Sequence, residues 1–237
     1  IALKLNEDRR RFSGGEFIEL KDSKSYSISS FNSTIPTGKK SIDKVITSEN
    51  SSIFKQMEIA GNNVYSLSER DVFYLIRGRK QSNLKVCLVH GSFFETISKE
   101  KLISYSFLQV FEERMKEKGK VVNDDLKELI YEVFSEQNNF SKVRNVEKAS
   151  VKLRFRIMTE VKTEGNLLNS KKYPEILDNT LNLLVPCHCE TDEKLIKENF
   201  KSVFAKEERK EYKIFKIKHH LNGFFIVFQT SIKKFIN

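Results

Sequence analysis

Short apolar runs and stretches in which apolar and polar positions alternate with a period of two mark strands along this chain. The unbroken apolar run Val72-Phe73-Tyr74-Leu75-Ile76 is the clearest. A basic turn, Arg77-Gly78-Arg79-Lys80-Gln81-Ser82-Asn83, leads from it into a second strand, Leu84-Lys85-Val86-Cys87-Leu88-Val89. Ile1 to Asn6 and Glu16-Phe17-Ile18-Glu19-Leu20 read as an antiparallel hairpin around Arg9-Arg10-Arg11 and Gly14-Gly15. Tyr26, Ile28 and Phe31 supply part of another strand, and Ile42, Val45 and Ile46 follow a weak helical spacing after Gly38. Met57 to Ile76 reads as strand, turn and strand, with Gly61-Asn62-Asn63 as the turn and a break at Ser68-Glu69-Arg70-Asp71.

The period then changes to that of a helix. Ser98 is placed to cap a helix carrying Leu102, Phe107, Leu108, Phe111 and Met115 and stopping near Gly119. Asn123-Asp124-Asp125 caps a second, with Leu126, Leu129, Ile130, Val133 and Phe134 on one stripe. Both stripes are expected to pack on the sheet. A polar, basic segment from Asn138 to Ser150 marks a domain boundary.

Beyond it, Val151 to Ile157 alternates apolar with basic residues, which makes a half-buried strand with a cationic outer face. A polar loop with a short helical pattern at Tyr173, Ile176, Leu177 and Leu181 follows. Next come the strand Leu183-Leu184-Val185, cut by Pro186, and a helix capped by Thr191 that carries Leu195, Ile196, Phe200, Val203 and Phe204. Tyr212–Lys218 and Phe224–Thr230 form a hairpin across Asn222-Gly223. The expected fold class is α+β: an antiparallel-rich sheet covered by helices over residues 1–145, then a smaller α+β domain over 146–237 ending in the hairpin.

The order of the first part resembles the longin fold of R-SNARE N-terminal domains and of the small and medium subunits of vesicle-coat adaptors. Val72–Ile76 resembles that family's central apolar strand, and Leu84–Val89 the strand after it. Ser104-Tyr105-Ser106-Phe107-Leu108 with Val110-Phe111-Glu112-Glu113 resembles its "A-F-x-F-L-E" helix, and Leu126 to Phe134 its closing helix. The resemblance covers residues 1 to about 140, and no SNARE heptad repeat follows. It implies a longin-like, non-catalytic platform in membrane traffic or small-GTPase regulation, with partners held on a sheet edge or in the groove beside the helices.

With 237 residues, 39% of them apolar, and 19 Phe, the chain can build a substantial core. A net charge of +10 and a pI near 9.3 point to an acidic partner: nucleic acid, an anionic membrane surface, or an acidic protein. Two basic sets are candidates for such a patch, Arg77, Arg79 and Lys80 on the turn, and Lys152, Arg154 and Arg156 on one strand face. Phe155 points away from those arginines, so the second set offers charge without the stacking that single-stranded nucleic acid uses. Three Cys are too few for a disulfide scaffold, which suits a reducing compartment, the cytoplasm or alternatively the nucleus. No signal peptide and no run of about 18 apolar residues is present. The chain opens on Ile1 rather than Met and is expected to be a piece of a longer one.

Candidate chemistry is sparse. Cys187, Cys189, His219 and His220 are the one soft-ligand set, but Cys-x-Cys and adjacent histidines depart from zinc-site spacings. His90-Gly91-Ser92 sets an imidazole near a hydroxyl and reads as a turn. Neither a P-loop nor a dinucleotide fingerprint occurs. The expectation is therefore a non-enzymatic adaptor or scaffold that takes no cofactor and no metal and binds other proteins, with an anionic membrane surface as a further contact. The alternative is a nucleic-acid-binding subunit of a larger assembly.

Overall fold

The structure, a computed structural model, describes residues 16–28, 30–32, 36–42, 45–46, 48–63, 65, 69–96, 99–135, 147–148, 151–152 and 158–235. It is a mixed α+β fold whose residues group into two compact units. One takes Ile1–Phe31, Pro36–Glu95 and Glu160–Asn237; the other takes Asn32–Ile35 and Thr96–Thr159.

The first unit is built on a seven-stranded sheet. Its strands are β1 (Phe17–Ser23), β3 (Lys39–Lys40), β4 (Arg70–Lys80), β5 (Asn83–His90), β9 (Thr180–Pro186), β10 (Lys213–His219) and β11 (Gly223–Ser231). The spatial order is β1-β4-β5-β9-β11-β10, with β3 paired to the start of β4. The β1–β4 and β5–β9 pairs are parallel and the rest antiparallel. Short strands also lie at β2 (Ser30–Asn32) and β8 (Met158–Glu160). The expected division at residue 145 does not hold, because β9, β10 and β11 complete the sheet begun by β1, β4 and β5. Val89 lies beside Leu184, and Leu184 beside Val227, in one continuous apolar layer.

One sheet face buries Val72, Tyr74, Ile76, Cys87, Val89, Leu184, Phe225 and Val227 beneath Ile28, Phe31, Phe93, Leu167, Leu168, Tyr173 and Ile176. The cover over residues 161–178 is one 3-10 turn at Thr163–Gly165 followed by a string of turns, and the short helix expected around Tyr173, Ile176 and Leu177 is absent. The opposite face over β9 and β11 is covered by helix α4 (Glu190–Val203), with Phe200 stacked on Phe228 at 4.4 Å. The cap of α4 is Cys189 rather than Thr191. Its Sγ accepts the Asp192 N–H, and the Asp192 carboxylate accepts the Cys189 N–H in return. A short helix, α5 (Lys206–Arg209), leads into β10.

Two further expectations are corrected within this unit, on α1 and on the basic turn. Ser52–Ile59 is a helix, α1, capped by Ser51, so the strand expected from Met57 is absent; the turn at Gly61 (φ 81) stands. At Ile42, Val45 and Ile46 the helical spacing stands: the Val45 and Ile46 N–H groups are on the Ile42 carbonyl, and both isoleucines bury against Phe54 and Met57 of α1. The basic turn shrinks to Gln81-Ser82, because β4 runs on through Arg77, Gly78, Arg79 and Lys80. Finally, β1 lies parallel to β4; the hairpin partner expected at Ile1–Asn6 lies outside the described residues.

The second unit holds α2 (Lys99–Glu117) and α3 (Asp124–Ser135) where the sequence places helices, and the paired strands β6 (Glu147–Lys148) and β7 (Val151–Lys152). The Asn123 side chain caps α3 through the Leu126 N–H as expected, whereas Ser98 lies outside the described residues. The helices pack on each other where Ser104, a small buried residue, lets the α3 backbone approach; Lys127 joins Glu112 at 3.0 Å across the seam. Of the two expected stripes, Phe107, Phe111, Leu129 and Val133 are exposed, while Leu108, Met115, Leu126 and Ile130 are half-buried.

Candidate partner-binding face

Strand alternation gives β1 two unlike sides. Ile18, Leu20 and Asp22 share a side with Phe73, Leu75, Arg77 and Arg79 of β4 and with Leu84, Val86 and Leu88 of β5. Glu19 and Lys21 share the other with Tyr74 and Ile76. On hydropathy alone the isoleucine and leucine belong inside and the charges outside. The structure inverts this: Ile18 and Leu20 are 62% and 66% exposed. The Glu19 and Lys21 side chains are only 31% and 22% exposed and pair at 2.8 Å. Lys21 also lies over the Phe31 ring at 5.0 Å, so the segment containing Phe31 covers the charged side. Beside the two open residues, Leu75, Leu84, Val86 and Leu88 are half-buried and extend an apolar surface across three strands.

Charge sits at one end of this surface. Asp22 accepts two hydrogen bonds from Arg77, Nε to Oδ1 at 2.9 Å and Nη2 to Oδ2 at 2.8 Å, in a bidentate clamp. Arg79 reaches the same carboxylate at 3.8 Å. The Arg77 hydrogen bonds hold the Asp22 carboxyl below its ordinary range, with burial opposing them and the Arg77 and Arg79 charges adding to them. Of the cationic patch expected here, Arg77 and Arg79 thus stand on a strand and share one carboxylate; Lys80 is exposed at the strand end. Lys152 ends β7, while Arg154 and Arg156 lie outside the described residues. The two basic sets fall in different compact units.

The remaining candidates have structural employment. His90 caps the turn Gly91–Phe93: its Nδ1 accepts the Ser92 N–H at 3.3 Å and lies 2.8 Å from Ser92 Oγ. Asp71 stands 3.6 Å from Nε2, which brings a carboxylate, an imidazole and a hydroxyl together that the sequence did not connect. That distance exceeds a hydrogen bond, and Nδ1 is already the acceptor for a backbone N–H, so the trio acts as a cap. Gly91 is required there, since an added Cβ would lie 1.9 Å from the Thr37 carbonyl oxygen.

Cys187 is buried against Phe200 and Ile226, and burial raises its thiol pKa, only partly offset by Lys216. Cys189 caps α4. The His219 ring accepts the Leu221 and Asn222 N–H groups through Nδ1 and packs edge-on to Phe93 at 4.8 Å; His220 is exposed. Burial, then His220 and Lys172, lowers the His219 pKa. Among the described residues no group of three or more His, Cys, Asp or Glu is placed to hold a metal ion. Nor is any helix among them long and apolar enough to cross a membrane.

No family model, curated protein or solved structure matches this chain.

Proposed function

We propose that this chain is a non-enzymatic adaptor that holds a partner protein on the open face of β1, β4 and β5. The observation that carries the reading is the inversion on β1, where the apolar side is left to water and the charged side is covered. Contiguous exposed apolar surface of this kind marks interaction sites. A local rule broken without gain to the fold is the usual sign of function. The resemblance of the sequence to the longin-like order supports a place in membrane traffic or small-GTPase regulation on the cytoplasmic side; a helix, α1, precedes the central strands and two consecutive helices, α2 and α3, follow them, with two strands rather than three between. Nucleic-acid binding is the second reading, supported by the net charge of +10; against it, Asp22 takes up Arg77 and Arg79.

The double variant Leu75→Ser/Val86→Ser tests the adaptor reading, because both residues lie on the face and away from the β1 edge. Capture from cell extract, read by quantitative mass spectrometry, should show specific partners reduced roughly ten-fold or more relative to the parent chain, with the circular dichroism spectrum unchanged. An unaltered partner set would refute it. Titration of labelled single- and double-stranded oligonucleotides at low salt should show no binding; tight binding with a steep salt slope would establish the second reading instead.

A further inference from the structure

Leu20, Leu75, Leu88, Leu183 and Phe228 form one row across the sheet, each beside the next. Phe228 is the residue stacked under Phe200 of α4. The helix therefore lies on the same face as the open apolar surface, over β9 and β11, with the lane over β5, β4 and β1 beside it. It begins where β9 ends, and its last turns meet Tyr212, just ahead of β10, so it runs along the strands. Its two flanks differ. Ile196, Phe200 and Phe204 face the sheet. Glu193 pairs with Lys197 and with Lys216 of β10, which marks the flank toward β10. Two residues turn a helix by about 200°. Leu195 and Asn199, two places beyond Glu193 and Lys197, and Val203 one turn further on, thus lie on the other flank, toward β5. Leu195 and Val203 are 48% and 56% exposed. An apolar wall stands beside an apolar floor of Leu75, Val86 and Leu88.

We infer that this lane takes one amphipathic α-helix of the partner protein, lying along α4 with an acidic end at Arg77 and Arg79. The inference rests on the adaptor reading of the face and adds to it the kind of segment held. Width favours a helix: three strands about 4.8 Å apart make a lane of about 14 Å, room for one helix of about 10–12 Å. The backbone favours it more strongly. Strands β4 and β5 are each hydrogen-bonded to a neighbour on both sides. An extended segment laid over them would bury N–H and C=O groups with nothing to pair, whereas a helix satisfies its own. Charge then sets the direction. Arg77 and Arg79 share one carboxylate, Asp22, and Lys80 is exposed beyond them. A carboxylate on the incoming helix at that end completes the pairing.

Two peptide libraries displayed on phage test this, each with members roughly five helical turns' worth of residues long. One fixes leucines at helical spacing; the other fixes them at every second position. Selection on the purified chain should enrich the helical library alone, with Asp and Glu gathered at one end. Synthetic copies of the winners should gain helical circular dichroism on binding. Leu195→Glu with Val203→Glu places good helix formers at exposed positions. That chain should melt as the parent does and bind the peptides about ten-fold more weakly. Should it melt early, Val203→Glu alone, at the last residue of α4, gives the same reading. On the Arg79→Glu chain the selected ends should turn from acidic to basic. No enrichment of the helical library, enrichment of the alternating one alone, winners without the acidic end, or binding that survives the glutamates would each overturn the proposal. Leu75→Ser/Val86→Ser alters the floor whatever lies on it, whereas the glutamates alter only the wall. Cell partners lost with the first and kept with the second would sink the helix and leave the adaptor reading standing. Partners indifferent to the first would sink the adaptor reading itself.

Discussion

Phe93→Ala is expected to cost about 3–5 kcal/mol of folding stability and to lower the melting temperature by ~10 °C. Phe93 is fully buried, and its ring meets four others: Phe94 at 5.1 Å, Tyr173 at 5.8 Å, His219 at 4.8 Å and Phe225 at 5.0 Å. Those rings come from the turn after β5, the segment over the sheet, β10 and β11, so one side chain joins the two halves of the sequence. Truncation loses the transfer free energy of the ring and leaves a cavity whose walls belong to elements pinned in other ways. Asn222 Nδ2, for example, donates to the Phe93 and Glu95 carbonyls at 3.0 Å, and Gly91 is wedged against Thr37. Collapse into the void is therefore restricted, which places the cost toward the upper end for such changes. Phe93→Leu keeps most of the volume and should cost about 1 kcal/mol. Calorimetric melts of both variants check this; an alanine variant that melts within a degree or two of the parent would mean that the two halves do not share one core.

Phe93 also shows what the sequence could and could not convey. The strands around it are periodic and legible: β4, β5, β9 and the β10–β11 hairpin all fall where alternation places them, and α2, α3 and α4 where the three-and-four spacing does. Phe93 and Phe94 lie just beyond a strand end with no period of their own, so nothing local marked them as the hub. Leu167, Leu168, Tyr173 and Ile176 bury completely or nearly so from a run of turns, and irregular backbone carries no periodic signature. Helix α1 has only eight residues, too short for its period to show against the neighbouring strand signals. The domain boundary failed for a different reason. A polar segment reads as the end of a domain, whereas the sheet resumes at β9 beside β5. Parallel neighbours far apart in sequence leave no mark in either strand alone. For the candidate face, alternation in Ile18-Glu19-Leu20-Lys21 shows that the two sides of β1 differ. Which side is covered depends on where Phe31 lies, and only the fold supplies that.

Lys85 supplies the second large effect. Its side chain is 1% exposed, on the sheet face beneath the 161–178 segment. The ammonium donates to Ser170 Oγ at 2.8 Å and to the Leu168 carbonyl at 3.4 Å, stands 3.7 Å from Asp178 Oδ1, and lies 4.9 Å over the Tyr26 ring. It therefore ties the covering turns to β5 at the point where regular hydrogen bonding cannot. Lys85→Ala removes both the tether and the packed methylenes, and should cost about 3 kcal/mol. Lys85→Met keeps the volume and spares the chain the burial of a charge. Asp178 stays half in water and keeps its bond from Asn83 Nδ2 at 2.8 Å, so this variant should lose only about 1 kcal/mol at neutral pH. The pH dependence fixes the sign. Burial, the larger influence, lowers the Lys85 pKa despite the opposing pull of Asp178. Between the folded value and the unfolded one near 10.4, the unfolded chain binds more protons at this site, so stability rises with pH through that window. Tyr74 and Tyr173, pushed up to about 12 mainly by burial, act in the opposite sense above pH 10, but they do so equally in both chains. The melting temperature of the parent minus that of Lys85→Met should therefore grow from pH 7 to pH 10. A difference that stays flat would show Lys85 to be hydrated in solution, and the turns over the sheet would then be held by their apolar side chains alone.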